Sequence, residues 1–292
     1  MARTPELNNQ SQDKGAAPRR PVKIPRRRRL ILAGVVAAAA GTTAAFGSSA
    51  VLQQIDGLLP DARGISAFSR PGTVTILSAD GEVLQKLGPA SREKVAVGQM
   101  PELVKEAFIA AEDRRFYQHN GVDVVGISRA VVTNLQSGSV KQGASTITQQ
   151  LARVVFLNQD QTLIRKVKEA ALALKLERQL SKEQILNQYL NNVYLGSSAY
   201  GVADAAWIYY SKTVDELTLP QAALIAGLPP APSAYSPLVN PDLAIQQRNS
   251  VLRKMLEAGF ITAAQEQEAK TAPLELKPCL LYTSDAADDR IC

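Results

Sequence analysis

Apolar and polar positions along the chain change period twice. From Pro71 to Leu87 they alternate as in strands: Thr73-Val74-Thr75-Ile76-Leu77 and Glu82-Val83-Leu84 flank Ala79-Asp80-Gly81, and Asp-Gly between two β-prone runs predicts a hairpin. From Pro101 onward the period is helical. Leu103, Ala107, Phe108 and Ala111 mark one face of a first helix, with Pro101 in its first turn. Val124 to Val132 reads either as a core helix or as an apolar segment lying on a membrane surface, and periodicity does not separate the two. Thr146 with Gln149 fits a capping box, which starts a helix there. Leu163 to Leu180 predicts another, with Leu163, Val167, Ala170, Ala171 and Leu174 on one side. Ser181 with Gln184 caps the next, whose Ile185, Leu186, Tyr189 and Leu190 face inward. Turn chemistry at Asn191-Asn192, Gly196 and Tyr200-Gly201 follows. Then come a helix from Leu219 to Gly227, a proline-rich loop from Leu228 to Ser233, and a last helical pattern carrying Arg248, Val251, Leu252 and Met255. The chain is therefore mainly α, with one short N-terminal β-hairpin.

The N-terminal region has a different character. Residues 1–29 hold nine Lys or Arg against two acids and read as a disordered basic arm. No charge occurs from Leu30 to Ile55, and its apolar part, residues 30–52, is long enough to cross a hydrocarbon core of roughly 30 Å. The Arg26–Arg29 cluster puts the N-terminus on the cytoplasmic side and the rest outside. A cleaved signal peptide is the alternative, but its apolar region is normally shorter and its leader less extended. Both readings export the remainder.

Charge and cysteine count narrow the chemistry. Of the net +6, the arm supplies +7; beyond it, 24 basic residues face 25 acidic ones, so no basic face for nucleic acid is expected. Only Cys279 and Cys292 occur, which excludes a disulfide framework and a thiolate metal site. Both fall in residues 279–292, which share no pattern with what precedes them and read as a non-native tail.

Candidate chemistry concentrates in AAEDRRFYQHNGVD, residues 110–123, which places three acids, two arginines, two aromatics and the only histidine of the chain at the end of an apolar helix. Further on, Thr146, Gln149, Gln150 and Arg153 form one polar helix stripe. A helix N-terminus with a nearby cation suits phosphate, although spacing alone fits a solvated, well-capped face better. Arg165 and Glu169 are i,i+4 neighbours; as a surface pair they would contribute only about 0.3–0.5 kcal/mol.

Five ordered segments together resemble the peptidoglycan glycosyltransferases (glycosyltransferase family 51), found alone or as the N-terminal part of bifunctional class A penicillin-binding proteins. EDRRFYQHNGVD resembles the first motif, GASTITQQLAR the second and RKVKEAALALKLE the third. KEQILNQYLNNVYLG with AYGVADAAWIYYSK resembles the fourth, and LPQAALIAGLPPAPSAYSP the fifth. The resemblance covers roughly Pro71 to Lys277. It implies a lysozyme-like helical domain over residues 53–257 (core 90–257), with residues 258–278 opening a linker.

It also implies a reaction at the membrane. Lipid II is polymerised into glycan strands: the acceptor 4-OH attacks C1 of the growing chain with inversion, and undecaprenyl pyrophosphate leaves. Carried over by position, Glu112 is the general base and Glu169 the second catalytic glutamate. Arg153, Arg165 and Lys166, with Ser145, Thr146, Gln149 and Gln150, serve the pyrophosphate. Asp113, Phe116, His119 and Gly121 keep the first motif in shape. A pyrophosphate leaving group needs cations or a metal, so Mg2+ or Mn2+ is the cofactor this chemistry would admit. Lipid II, the nascent strand, the membrane and cell-wall synthesis or division proteins are the implied partners. A base at the C-terminus of an apolar helix should have its pKa raised by dipole and desolvation.

The chain departs from the family pattern at Val154, where Asn is frequent, and at Asn187 and Gln221, where Glu is usual. Ser91 to Lys94 matches Ser-x-x-Lys by chance, and Lys-Thr-Gly is absent, so no transpeptidase site is expected in this sequence. Two rival readings keep the fold: a lysozyme-type or lytic enzyme with Glu112 as general acid, and a catalytically decayed membrane-tethered scaffold.

Overall fold

The computed structural model describes residue 65 and residues 74–81, 83–87, 94–137, 145–156 and 163–278. The basic arm, the apolar run at 30–52 and the tail at 279–292 lie outside the described residues, within which no helix is long and apolar enough to cross a membrane.

Two short strands, β1 (Val74–Leu77) and β2 (Val83–Leu87), pair antiparallel, with an irregular register between Ile76 and Leu77. The described residues otherwise fold as helices: α1 (Glu102–Glu112), α2 (Val124–Ser137), α3 (Ile147–Phe156), α4 (Leu163–Gln179), α5 (Lys182–Asn192), α6 (Val202–Tyr210), α7 (Leu219–Ala226), α8 (Pro241–Glu257) and α9 (Ala263–Thr271).

The core forms around α7. Every residue from Gln221 to Leu228 is buried, as expected of a helix apolar on all sides. Its ends are set locally: Thr218 and Gln221 form a reciprocal capping box, Pro220 sits in the first turn, and Gly227 is the C-cap. Helices α1 and α8 pack on α7 and on each other, and α3 packs on α4 and α5. Phe108, Phe116, Leu151, Leu172, Leu176, Tyr189 and Met255 are among the buried side chains that join these pairs.

Three expectations change. The buried residues of α4 include Glu169, Leu172, Ala173, Lys175 and Leu176; of the expected face, Ala171 is buried but Val167 is 51% exposed. This helix carries apolar residues on two sides, and the side with both Leu172 and Leu176 meets the core. On α2, Val124, Val125 and Val132 are exposed while Ala130 is buried, so the helix is covered on one side only. Residues 258–278, expected to open a linker, contain α9, capped by Thr262 and Gln265, and then return to α6, where the Lys277 N–H donates to Tyr209 O at 2.9 Å. Buried Arg248 closes the end of α9, donating to Lys270 O at 2.7 Å and Ala272 O at 2.6 Å.

Candidate active site

Glu112 is the last residue of α1. It is half-buried, and its carboxylate accepts from Gln150 Nε2 on α3 at 2.8 Å. The other end of that amide, Gln150 Oε1, accepts from the Tyr189 hydroxyl on α5 at 3.2 Å. Burial raises the Glu112 pKa; the Gln150 donor and the charges of Lys254 and Arg153 oppose the shift, and Asp113 adds to it. The carboxylate therefore combines low solvation with one fixed donor and nearby cations, which are the conditions for a base working near neutral pH.

Asp113 faces a different set of partners. It is buried, lies 3.0–3.1 Å from His119 Nε2 and accepts from the Ile147 N–H at 3.1 Å. It thereby satisfies an orphan donor at the start of α3 while fixing the imidazole. Phe116 is fully buried beneath this turn, and Lys182 donates to His119 O at 2.6 Å with its ammonium 4.5 Å from the Phe116 ring centre. Gly121 has φ +88° and lies against α4, where a Cβ would fall 2.8 Å from the Ala173 carbonyl carbon and oxygen; only glycine fits both demands. The Thr146 hydroxyl completes the lock, donating to Gly121 O at 2.6 Å and accepting from the Gln149 N–H at 3.1 Å, while Gln149 Oε1 accepts from the Thr146 N–H at 3.0 Å.

The Thr146–Gln149 capping box therefore forms as the sequence indicates, but the stripe is not a solvated face. Thr146, Gln149 and Gln150 are all buried, and Arg153 alone of the four is partly exposed. Gln150 engages Glu112.

The second cluster sits at the start of α4. Glu169 is 1% exposed, so its pairing is not a surface contact. Arg165 Nη1 lies 3.1 Å from one carboxylate oxygen and Lys166 Nζ 2.6 Å from the other. Lys166 Nζ also donates to Ser145 Oγ at 3.2 Å, which connects this cluster to the start of α3. Glu169 thus holds two cations in place, with Lys166 half-exposed and available to an anionic ligand.

Tyr189, Lys182 and Lys254 are the site residues that sequence reasoning missed. Tyr189 had one signal: an inward-facing tyrosine needs a partner for its hydroxyl. Lys254 Nζ donates to Ala111 O at 2.7 Å across 143 positions, and no local pattern marks it. A separate cleft of about 640 Å3, lined by Lys94, Gln99, Trp207, Lys212 and Asp215 among others, includes none of the candidate residues.

Two of the departures acquire structural roles. Asn187 Nδ2 donates to Val95 O at 3.0 Å, beside Asn191, which both donates to that oxygen and accepts from the Val95 N–H, each at 2.9 Å. Gln221 Oε1 accepts from the Thr218 N–H at 3.1 Å and from Lys212 Nζ at 3.0 Å, the acceptor duty a glutamate would perform.

The family model described as Transglycosylase matches residues 80–256. Penicillin-binding protein 1A of Aquifex aeolicus is 47% identical over 219 residues, covering 75% of this chain and 30% of that protein. The protein of the same name from Neisseria cinerea is 50% identical over 211 residues, covering 72% and 26%, and that from Escherichia coli 49% over 217 residues, covering 74% and 26%. Among solved structures, penicillin-binding protein 1A from Haemophilus influenzae aligns over 73% of this chain and 22% of its own, with 24% identity and a TM-score of 0.43. The chain thus spans less than a third of the length of these curated relatives. With the family model matched over more than half of its residues, this chain belongs to the transglycosylase family.

Proposed function

We propose that this chain polymerises lipid II into glycan strands of peptidoglycan, as an inverting hexosyltransferase with a lysozyme-like fold. The observation that carries the reading is Glu112: a carboxylate with a raised pKa, held by one amide donor, in a chain of the transglycosylase family. Family membership does not favour the glycan-cleaving alternative.

In this mechanism Glu112 takes the proton of the acceptor 4-OH as the oxygen attacks C1 of the growing chain. The bond from C1 to the pyrophosphate oxygen breaks, and the leaving group departs with the electron pair. Arg153, Arg165 and Lys166 balance the charge developing on it. Glu169 orients the last two cations, and Ser145 and the α3 N-terminus lie beside Lys166 for the same anion. Asp113, Phe116, His119 and Gly121 fix the turn that presents the base. Mg2+ or Mn2+ held by the pyrophosphate oxygens would supply further neutralisation of the same charge.

The substrate is a membrane lipid, and the exposed valines of α2 suit apposition to a bilayer surface. An anchor at residues 30–52, with the N-terminus cytoplasmic and the catalytic part on the outer face of the cell membrane, completes the reading. Cell-wall synthesis or division proteins would be its partners. The test is labelled lipid II in detergent, with and without divalent metal. Wild type should make polymer and Glu112→Gln should not; release of sugars from finished glycan, or polymer made equally by the variant, would overturn the assignment.

A further inference from the structure

The α1 helix ends in a cluster of negative charge: its free carbonyls, Glu112 and Asp113, with no basic residue in its own last turn. The compensating cation comes from α8. Lys254 Nζ donates to Ala111 O at 2.7 Å, and one helical turn later Glu257 pairs with Arg114 Nη2 at 2.7 Å. The two contacts fall one residue before and two residues after Glu112. Both α8 residues lie outside the five sequence motifs.

We propose that the last turn of α8 is the positioning element for Glu112: Lys254 holds the backbone carbonyl just before it, Glu257 holds the Arg114 side chain just after it, and the Lys254 ammonium places a cation at the helix end that carries the carboxylate. This rests on the reading of Glu112 as the base. A general base must be both placed and kept ionisable, and a partly desolvated carboxylate at a helix C-terminus is poorly suited to ionise unaided. The other groups facing it are Gln150 and Arg153 from α3, Tyr189 from α5 and Asp113 beside it; Lys254 itself faces Arg114 and Glu257 as well. Burial pushes the Lys254 ammonium pKa down, and the Glu112 carboxylate opposes that shift, so each charge supports the other. A lysine serving only to cap α1 would leave the ionisation of Glu112 unchanged when replaced.

The experiment compares the full chain with Lys254→Met, Lys254→Arg, Arg114→Glu, Glu257→Arg and the double reversal. Polymerisation of lipid II is followed against pH, and the Glu112 carboxyl is titrated by 13C NMR without substrate, assigned by its loss in Glu112→Gln. Lys254→Met should move the acidic limb of the rate profile, and the carboxyl titration, upward by about 1 pH unit. Lys254→Arg should restore both. Each single reversal should slow polymerisation at all pH values, and the double reversal should recover it. An unmoved carboxyl titration in folded Lys254→Met, an equal shift in Lys254→Arg, or no recovery in the double reversal overturns the proposal. A wild type that makes no polymer but whose carboxyl titration shifts in Lys254→Met would leave the positioning role standing and remove the functional reading.

Discussion

Replacing Tyr189 by Phe removes one oxygen from the centre of the site and little else. The ring is 1% exposed and packs edge-on against Phe108, with centroids 6.2 Å apart at 79°, a contact that Phe retains. Burial holds the tyrosine well above its ordinary pKa, so its hydroxyl is a neutral donor throughout the working range. Its bond to Gln150 Oε1 decides which end of that amide faces Glu112. Without it, Gln150 either keeps its orientation with a buried, unpaired oxygen, at about 1–3 kcal/mol, or turns over and points that oxygen at the carboxylate. The first outcome lowers Tm by about 2–4 °C per kcal/mol for a domain of this size. The second spares some stability but deprives Glu112 of its donor, which raises its pKa further and slows the reaction about tenfold for each 1.4 kcal/mol lost in the transition state. Thermal melts and the pH profile of lipid II polymerisation read the two outcomes separately. A Tyr189→Phe protein with an unchanged melt and an unchanged acidic limb would refute the role given to this hydroxyl.

Glu112→Gln should raise Tm at neutral pH. The folded pKa lies above the ordinary 4.5, so the folded state binds this proton more tightly, and stability falls as pH rises through the window between the two values; melts below that window should show no gain. Gly121→Ala should lose about 1–2 kcal/mol to its left-handed backbone and about 1–3 kcal/mol to collision with Ala173, visible in urea titration. Asn187→Glu should cost about 0.5–1.5 kcal/mol, because a carboxylate cannot donate to Val95 O and leaves it the Asn191 donor alone, whereas Gln221→Glu keeps an acceptor for Thr218 and Lys212 and should change stability far less. Parallel denaturation of these two variants checks the contrast.

Two helix starts were legible from a side chain that caps its own backbone, whereas the Thr262–Gln265 cap of α9 went unread. Ser181–Gln184 and Thr146–Gln149 mark α5 and α3 in the sequence and form the expected bonds. The facing of α4 was not legible: with leucine or alanine on two sides, a 3.6-residue period cannot say which side meets the core, so spacing alone left a surface pairing of Glu169 open. Asp113 and His119 were expected to shape the first-motif turn and do hold each other there, but the Ile147 N–H as a third partner depends on how α3 approaches. Gln150 was assigned to phosphate from its place in a stripe; its contacts with Glu112 and Tyr189 come from two other helices. The residues missed altogether act across the chain rather than along it.

The separation of 143 positions between Ala111 and Lys254 also bears on biogenesis. Helix α1 buries Val104, Ala107 and Phe108 chiefly against α7 and α8, both made much later. At about 5–20 residues per second, the ribosome needs on the order of ten seconds to reach them. During that interval the greasy face of α1 has no native cover, and the segment that will carry the base is open to proteases and to mispairing. A holding chaperone acting on the nascent chain would have most to protect there, and synonymous codons that slow translation between α1 and α8 would lengthen the exposure without changing a residue.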